Sequence, residues 1–257
     1  MTHRALLLLA LATPLVLGFS SATAAADSAI EVRVEGAVRS AGVVRLQPEG
    51  RIADALLAAA PRHDAYLLGG SLLNAHARLE QVRLRAGLLH TAGQLAKHSD
   101  LSLRDSGLAL QQWLEAHPAT GRTPLVFDAR LLQVQPRHNP LAAAGDVLLL
   151  PVQPQTVHVL GAVAHACELP HAPLRDATYY VHQCAITAAA DRNDIFVVQP
   201  DGAVQRLGVA AWNRADAQAV APGGTVYVPL RQPALAPLDP TFNEDFASFI
   251  ATQPIQP

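Results

Sequence analysis

The chain has almost no lysine, no surplus of positive charge, and no long apolar run after its first twenty residues. Nineteen lysines and arginines face 21 acids, for a net charge of −2. That balance lacks the basic footprint of a nucleic-acid-binding protein. Lys97 is the only lysine; this we read as compositional bias rather than chemistry. No segment beyond the start is long and apolar enough to span a bilayer. Catalytic signatures are also missing: the sequence contains no GxSxG elbow, phosphate-binding loop, HExxH or dinucleotide fingerprint. Its acids are scattered rather than paired for acid–base work, so neither a catalytic residue nor a cofactor is assigned.

What is present at the start is MTHRALLLLALATPLVLGFSSATAAADS. His3 and Arg4 precede an apolar run from Ala5 to Phe19, followed by small residues at Ala24 and Ala26. This is the layout of an export signal over 1–26, cleaved near Ala26–Asp27. The apolar run of about 15 residues is short for a membrane anchor, which takes about 20. No cysteine near the cleavage point suggests a lipid anchor. A periplasmic mature chain of about 230 residues is then expected, enough for two domains of roughly 100 residues each.

Those two domains are written as a repeat. Val32–Val38 (VRVEGAV) returns as Val157–Val163 (VHVLGAV), 125 residues on, and Gly145–Val152 (GDVLLLPV) returns as Gly223–Leu230 (GGTVYVPL), 78 on. The first copy therefore carries about 47 extra residues. Each copy opens with an alternating strand, turns at glycine, adds a second short strand and enters a helix (51–60 in the first copy, about 174–182 in the second). In the first helix Ile52, Leu56 and Ala59 share a face; in the second, Leu174, Ala177 and Val181. The surplus lies between Ser71 and Gly121. There Leu72, Ala75, Leu79, Val82, Ala86 and Leu89 form one helical stripe, KHSD (97–100) interrupts it with Ser99 or Asp100 as a cap, and Leu103, Leu110, Trp113, Leu114 and His117 form a second stripe. Two helices joined by a short polar turn make an antiparallel hairpin.

After the hairpin, Thr123–Asp128 and Val147–Leu150 complete the first copy; Ile195–Gln199, a Pro-Asp-Gly turn at 200–202, Ala203–Leu207 and Thr225–Pro229 complete the second. Pro151 and Pro229 close the strands. Past the proline-rich link, Thr241 and Glu244 fit a capping box, and Phe242, Phe246, Phe249 and Ile250 form one apolar stripe. Exposed, that stripe would dock a partner; folded back, it would cover the chain's own core. Glu244 and Asp245, with no basic residue after Arg231, favour a protein partner over an anionic membrane.

Three side-chain groups stand out. His165-x-Cys167 and His182-x-Cys184 offer four soft ligands for a metal such as zinc, but two cysteines in an exported protein favour a disulfide, closing a loop of about 17 residues worth roughly 3 kcal/mol. Arg122 follows Gly121 where the hairpin rejoins the sheet; its planar fork suits a carboxylate or sugar hydroxyl, or simply a surface acid. Trp212 reads more as a core anchor than as a sugar platform.

The stretch ADRNDIFVVQPDGAVQRLGVAAWN (190–213) followed by APGGTVYVPL (221–230), with the GAV openings, TGRTPLVFD (120–128), NPL (139–141) and the GDVLLLP closure, resembles the GfcC family of capsule-biosynthesis proteins over most of the mature chain. The resemblance implies an α+β fold of two β-grasp domains, related to the soluble-ligand-binding modules of polysaccharide export channels. A helical hairpin is inserted in the first, and an amphipathic helix ends the chain. The expected organisation is 27–153 for the first domain, with the insertion at about 71–120, 154–232 for the second, and 233–257 for the link and helix. It further implies a periplasmic, non-enzymatic role in capsule or exopolysaccharide assembly or export, with polysaccharide or export proteins as partners. Arg122 matches the family arginine that lines a pocket. Cys167 and Cys184 lie outside the family pattern, and the channel module and lipid-anchor cysteine of the export channels are missing. The competing readings are a carbohydrate-modifying enzyme with a pocket near Arg122 and a subunit that binds only protein.

Overall fold

The computed structural model describes residues 29–125 and 127–256; the expected export signal lies outside the described residues. The fold is mixed α+β, with two five-stranded sheets and seven α-helices among the described residues. The first sheet comprises β1 (Ile30–Gly36), β2 (Gly42–Leu46), β3 (Ser71–Leu73), β4 (Arg122–Thr123) and β5 (Val147–Leu150), in the order β2-β1-β5-β3-β4. The second comprises β6 (Thr156–Gly161), β7 (Cys167–Pro170), β8 (Asp194–Val198), β9 (Val204–Gly208) and β10 (Thr225–Val228), in the order β7-β6-β10-β8-β9. In both, the opening strand runs antiparallel to its hairpin partner and parallel to the closing strand.

The repeat holds to the residue. Val34 pairs with Leu148 in the first sheet, and Val159 with Val226 in the second, which are the sequence offsets of 125 and 78. The GAV motif has a backbone cause. Gly36 and Gly161 take φ of 94° and 110°, a region closed to most side chains. At Gly161 a Cβ would lie 2.1 Å from the Val228 carbonyl oxygen. The next residue, Ala37 or Ala162, then donates its N–H to the end of the closing strand, at Leu150 (2.6 Å) or Val228 (2.8 Å).

Helix α1 (Ile52–Ala59) packs on the first sheet, with Ile52, Leu56 and Ala59 buried. Its counterpart α5 (Ala177–Val181) is shorter, because Asp176 caps it by accepting from the Tyr179 N–H (3.0 Å). Leu174, expected on this helix, precedes the cap instead, 92% exposed with φ of 60°; the buried face carries Ala177 and Tyr180.

Between β3 and β4 the chain leaves the first sheet as α2 (Ala75–Leu95) and α3 (Leu101–Ala116). Asn74 and Asp100 cap them, accepting from the N–H groups of His76 (2.8 Å) and Leu103 (3.1 Å). Two sequence expectations change here. The third strand of the first sheet is Ser71–Leu73 rather than Thr123–Asp128, so Leu72 belongs to the sheet. The stripe through Leu79 and Val82 is exposed, at 55% and 49%, while α2 buries Gln81, Leu88, Thr91, Ala92 and Leu95. Helices α3 and α7 (Phe242–Ala251) lie against that other face, and packing overrode the larger count of apolar residues on the first.

The cores divide unexpectedly. One cluster joins the first sheet to α1, with Val32, Val34, Leu56, Phe127, Leu132 and Leu148. The other joins the second sheet to both hairpin helices and to α7. The hairpin thus leaves one sheet and covers the other. Phe242, Phe246 and Phe249 are fully buried and Ile250 is 5% exposed, so of the two readings of this stripe, docking a partner or folding back, the chain shows the second. The Phe246 ring lies 5.0 Å from Tyr227 and 5.2 Å from Trp113. The expected capping box is not formed. Thr241 makes no cap bond to α7, its hydroxyl sits between Asp239 (2.9 Å) and Asp245 (3.0 Å), and Glu244 pairs with Arg206 at 2.9 Å. Asn243 fixes the helix instead: its Oδ1 accepts from the Tyr227 hydroxyl (2.9 Å) and the Leu230 N–H (3.0 Å). No described helix is long and apolar enough to cross a membrane.

Candidate functional site

Arg122 lies where the hairpin, the first sheet and the second half of the chain meet. Gln81, buried on α2, reads the backbone on both sides of it, accepting from the Gly121 N–H (2.7 Å) and donating to the Arg122 carbonyl (2.8 Å). The side chain is only 4% exposed. Its Nη1 donates to the carbonyls of Ala251 (3.1 Å) and Gln253 (3.0 Å), and its Nη2 to that of Pro200. Ala251 ends α7, so the guanidinium stands at a helix C-terminus, where backbone dipoles favour a cation. Burial still pulls its pKa down to about 10, against the opposing pull of Asp201. Arg122 is therefore not a surface arginine paired with an acid. It does border a cleft of about 720 Å³ with Trp113 and His117, but its two terminal nitrogens are engaged by the chain itself. Of the Arg122 nitrogens, Nε is buried without a partner.

Successive strand residues face opposite ways, and Thr123, next in β4, lines a different and larger cleft of about 1000 Å³. Thr123, Pro124, Leu125, Phe127 and Asp128 form one wall with Pro140; Asp201 and Gly202 of the Pro-Asp-Gly turn, with Ala203 after it, form another. The stretches 120–128 and 139–141, ten residues apart, thus line one concavity and face residues 201–203 of the second half of the chain. Its floor is apolar, and His76, Arg137 and His138 stand around it. The two carboxylates are tied to backbone. Asp128 caps α4 (Ala129–Val134), accepting from the N–H groups of Arg130 (2.9 Å) and Leu131 (3.1 Å), and Asp201 accepts from that of Ala203 (2.9 Å). An apolar floor of this size with a few fixed polar groups is suited to holding a ligand.

Cys167 and Cys184 form a disulfide, with Cα atoms 6.3 Å apart, joining β7 to the segment after α5. With both sulfurs in that bond, the four-ligand grouping with His165 and His182 is unavailable. Trp212 is 77% exposed, its indole N–H donating to Asn193 Oδ1 (3.3 Å), so the core-anchor reading is overturned. Sequence reasoning missed two contributors. The Pro-Asp-Gly segment read only as a turn. Gln81 carried no signal, since a glutamine on a helix is ordinarily a solvated residue.

These features define a class: an α+β protein of two repeated mixed sheets, bridged by a buried arginine beside a ligand-sized cleft. Comparison with known proteins narrows it. A family model described as capsule biosynthesis GfcC C-terminal matches residues 165–254. The uncharacterized protein YjbG of Escherichia coli (strain K12) is 31% identical over 137 residues, 53% of this chain and 56% of that protein. The chain thus spans about half the length of that curated relative. The two matches support the GfcC family of capsule-biosynthesis proteins for this chain.

Proposed function

We propose that this protein is a periplasmic, non-enzymatic accessory of capsule or exopolysaccharide assembly and export, built of two β-grasp domains, and that it holds polysaccharide in the cleft beside Thr123. The strand order shared by both sheets supports the β-grasp reading, with domains over 27–153 and 154–232. The disulfide supports an oxidising compartment.

The observation that carries the functional reading is convergence. The TGRTPLVFD and NPL segments meet in one cleft of about 1000 Å³ whose far wall comes from the matched C-terminal region. Binding is the reading we favour over a carbohydrate-modifying reaction: Asp128 and Asp201 each commit Oδ1 to backbone N–H groups, which fixes their place, and the second oxygen of each can accept from sugar hydroxyls. Arg122 acts here as a positioning residue that ties the cleft wall at Pro200 to β4.

The test blocks the cleft without touching the core. Ala203 is exposed and lines the cleft, so Ala203→Trp should leave the melting temperature unchanged while lowering surface polysaccharide in a complemented deletion strain. Full polysaccharide output from a stably folded Ala203→Trp protein would overturn the reading.

A further inference from the structure

The repeat exposes a vacancy. In the first half, the connection from β4 to β5 carries α4, which packs on α1 and places Leu132, fully buried, in the core between helix and sheet. In the second half, the equivalent connection from β9 to β10, residues 209–224, contains no helix. The corresponding slot between α5 and the sheet is a cavity of about 770 Å³. Its floor is apolar, formed by Ala177, Val181, Ile195 and Leu207. Its rim is not: Asp176, Asp191, Arg192, Arg214 and Asp216 border it.

We infer that this slot is a second saccharide-binding site, separate from the cleft beside Thr123, that takes a short segment of a sugar chain. This rests on the polysaccharide reading above. The volume is within the range of small-molecule sites. An apolar floor suits the C–H face of a sugar ring, and planar carboxylates and guanidinium groups can each bond two neighbouring hydroxyls. Arginines and aspartates of both signs around the rim suit an uncharged or mixed-charge segment better than a polyanion. A helix such as the one filling the first-half slot is the less fitting occupant, because five charged side chains border this one.

The probe is a set of oligosaccharides of two to four residues, made by partial acid hydrolysis of the surface polysaccharide of the cells that express the protein. Titrated into the ¹⁵N-labelled full chain, they should shift the amide resonances of Val181, Leu207 and Arg214. The double variant Arg192→Ala/Arg214→Ala, both exposed positions, should weaken that binding about tenfold or more while leaving the rest of the spectrum unchanged. Shifts confined to Thr123–Leu125 and Asp201–Ala203 would overturn the second site and leave the cleft reading standing. No shift at either place would overturn both. Shifts at the slot from a peptide spanning Asp128–Gln135, with none from the oligosaccharides, would make it a receptor for a helix and overturn the proposal.

Discussion

The two sheets share strand order and register but differ in what covers them. In the first, β1 alternates: Val32 and Val34 are buried, while Glu31, Arg33 and Glu35 face outward, with Glu31 paired to Arg45 at 3.0 Å. Along this strand one face is core and the other is wet, although the inner strand β5 buries Leu148, Leu149 and Leu150 in succession. In the second, four consecutive residues of β8, Ile195 to Val198, are all buried, because helices lie on both faces. An unbroken apolar strand is what burial on two sides requires, and DIFVV shows it in the sequence. The helices on the added face are α3, inserted in the first half, and α7, from beyond the second. Duplication supplied the frame, and insertion and extension made one copy depend on the other.

That dependence can be broken in stages. The largest effect should come from separating the halves. A fragment of residues 154–256 lacks α2 and α3, so Phe246 and Phe249 lose the cover of Trp113 and Leu114, and the fragment should give no cooperative melting transition in calorimetry. A sharp transition would show the hairpin to be dispensable. Next is Phe246→Ala in the full chain, expected to cost about 4 kcal/mol in denaturant unfolding; its counterpart cost in the first half, at Leu132→Ala, should be smaller because that cluster is smaller.

Arg122→Ala removes a contact between the halves rather than a core side chain. It leaves the carbonyls of Pro200, Ala251 and Gln253 without their donor, a loss of about 3 kcal/mol, with Arg122→Lys restoring only part because an ammonium lacks the fork. An unchanged unfolding midpoint would show the three bonds to be idle. The smallest effect is at Tyr66, whose hydroxyl donates to the Pro222 carbonyl at 3.0 Å. Burial, with Asp201 nearby, pushes its pKa up to about 12. The folded state therefore holds this proton more tightly than the unfolded chain does. The contribution is fully present below pH 10 and is lost as pH rises through 12. Tyr66→Phe should cost about 1 kcal/mol at neutral pH and flatten the fall in stability between those limits.

The repeat was legible because backbone constraints wrote it. Gly36 and Gly161, and the closing strands before Pro151 and Pro229, are fixed by φ and by hydrogen bonding whatever packs around them. The hairpin was legible as two helices, since Asp100 signals a cap and Leu103, Leu110 and Leu114 hold helical spacing. Which face of α2 turns inward was not legible, because Leu79 and Val82 are as apolar as Leu88 and Leu95. Only the location of α3 and α7 decides among them. The tail was legible only as a choice between two covers: the Phe242–Ile250 stripe says that something covers it, not whose surface does. At the cleft, the segments 120–128 and 139–141 were visible as separate motifs. Their meeting with Asp201–Ala203 needed three dimensions. Arg122 read as a group for an outside partner because one-dimensional spacing shows no carbonyl belonging to residues 200, 251 and 253.

Considered as mechanics, that guanidinium is a rivet through three plates: the strand where the hairpin returns, the turn that walls the cleft, and the end of the last helix. Tension on the chain beyond residue 253 is borne at the same point that sets the position of Pro200. The tail and the cleft wall therefore lie on one load path. A molecule that wedges the cleft open pushes on the anchorage of the C-terminus, and anything that grips the C-terminus pulls on the cleft.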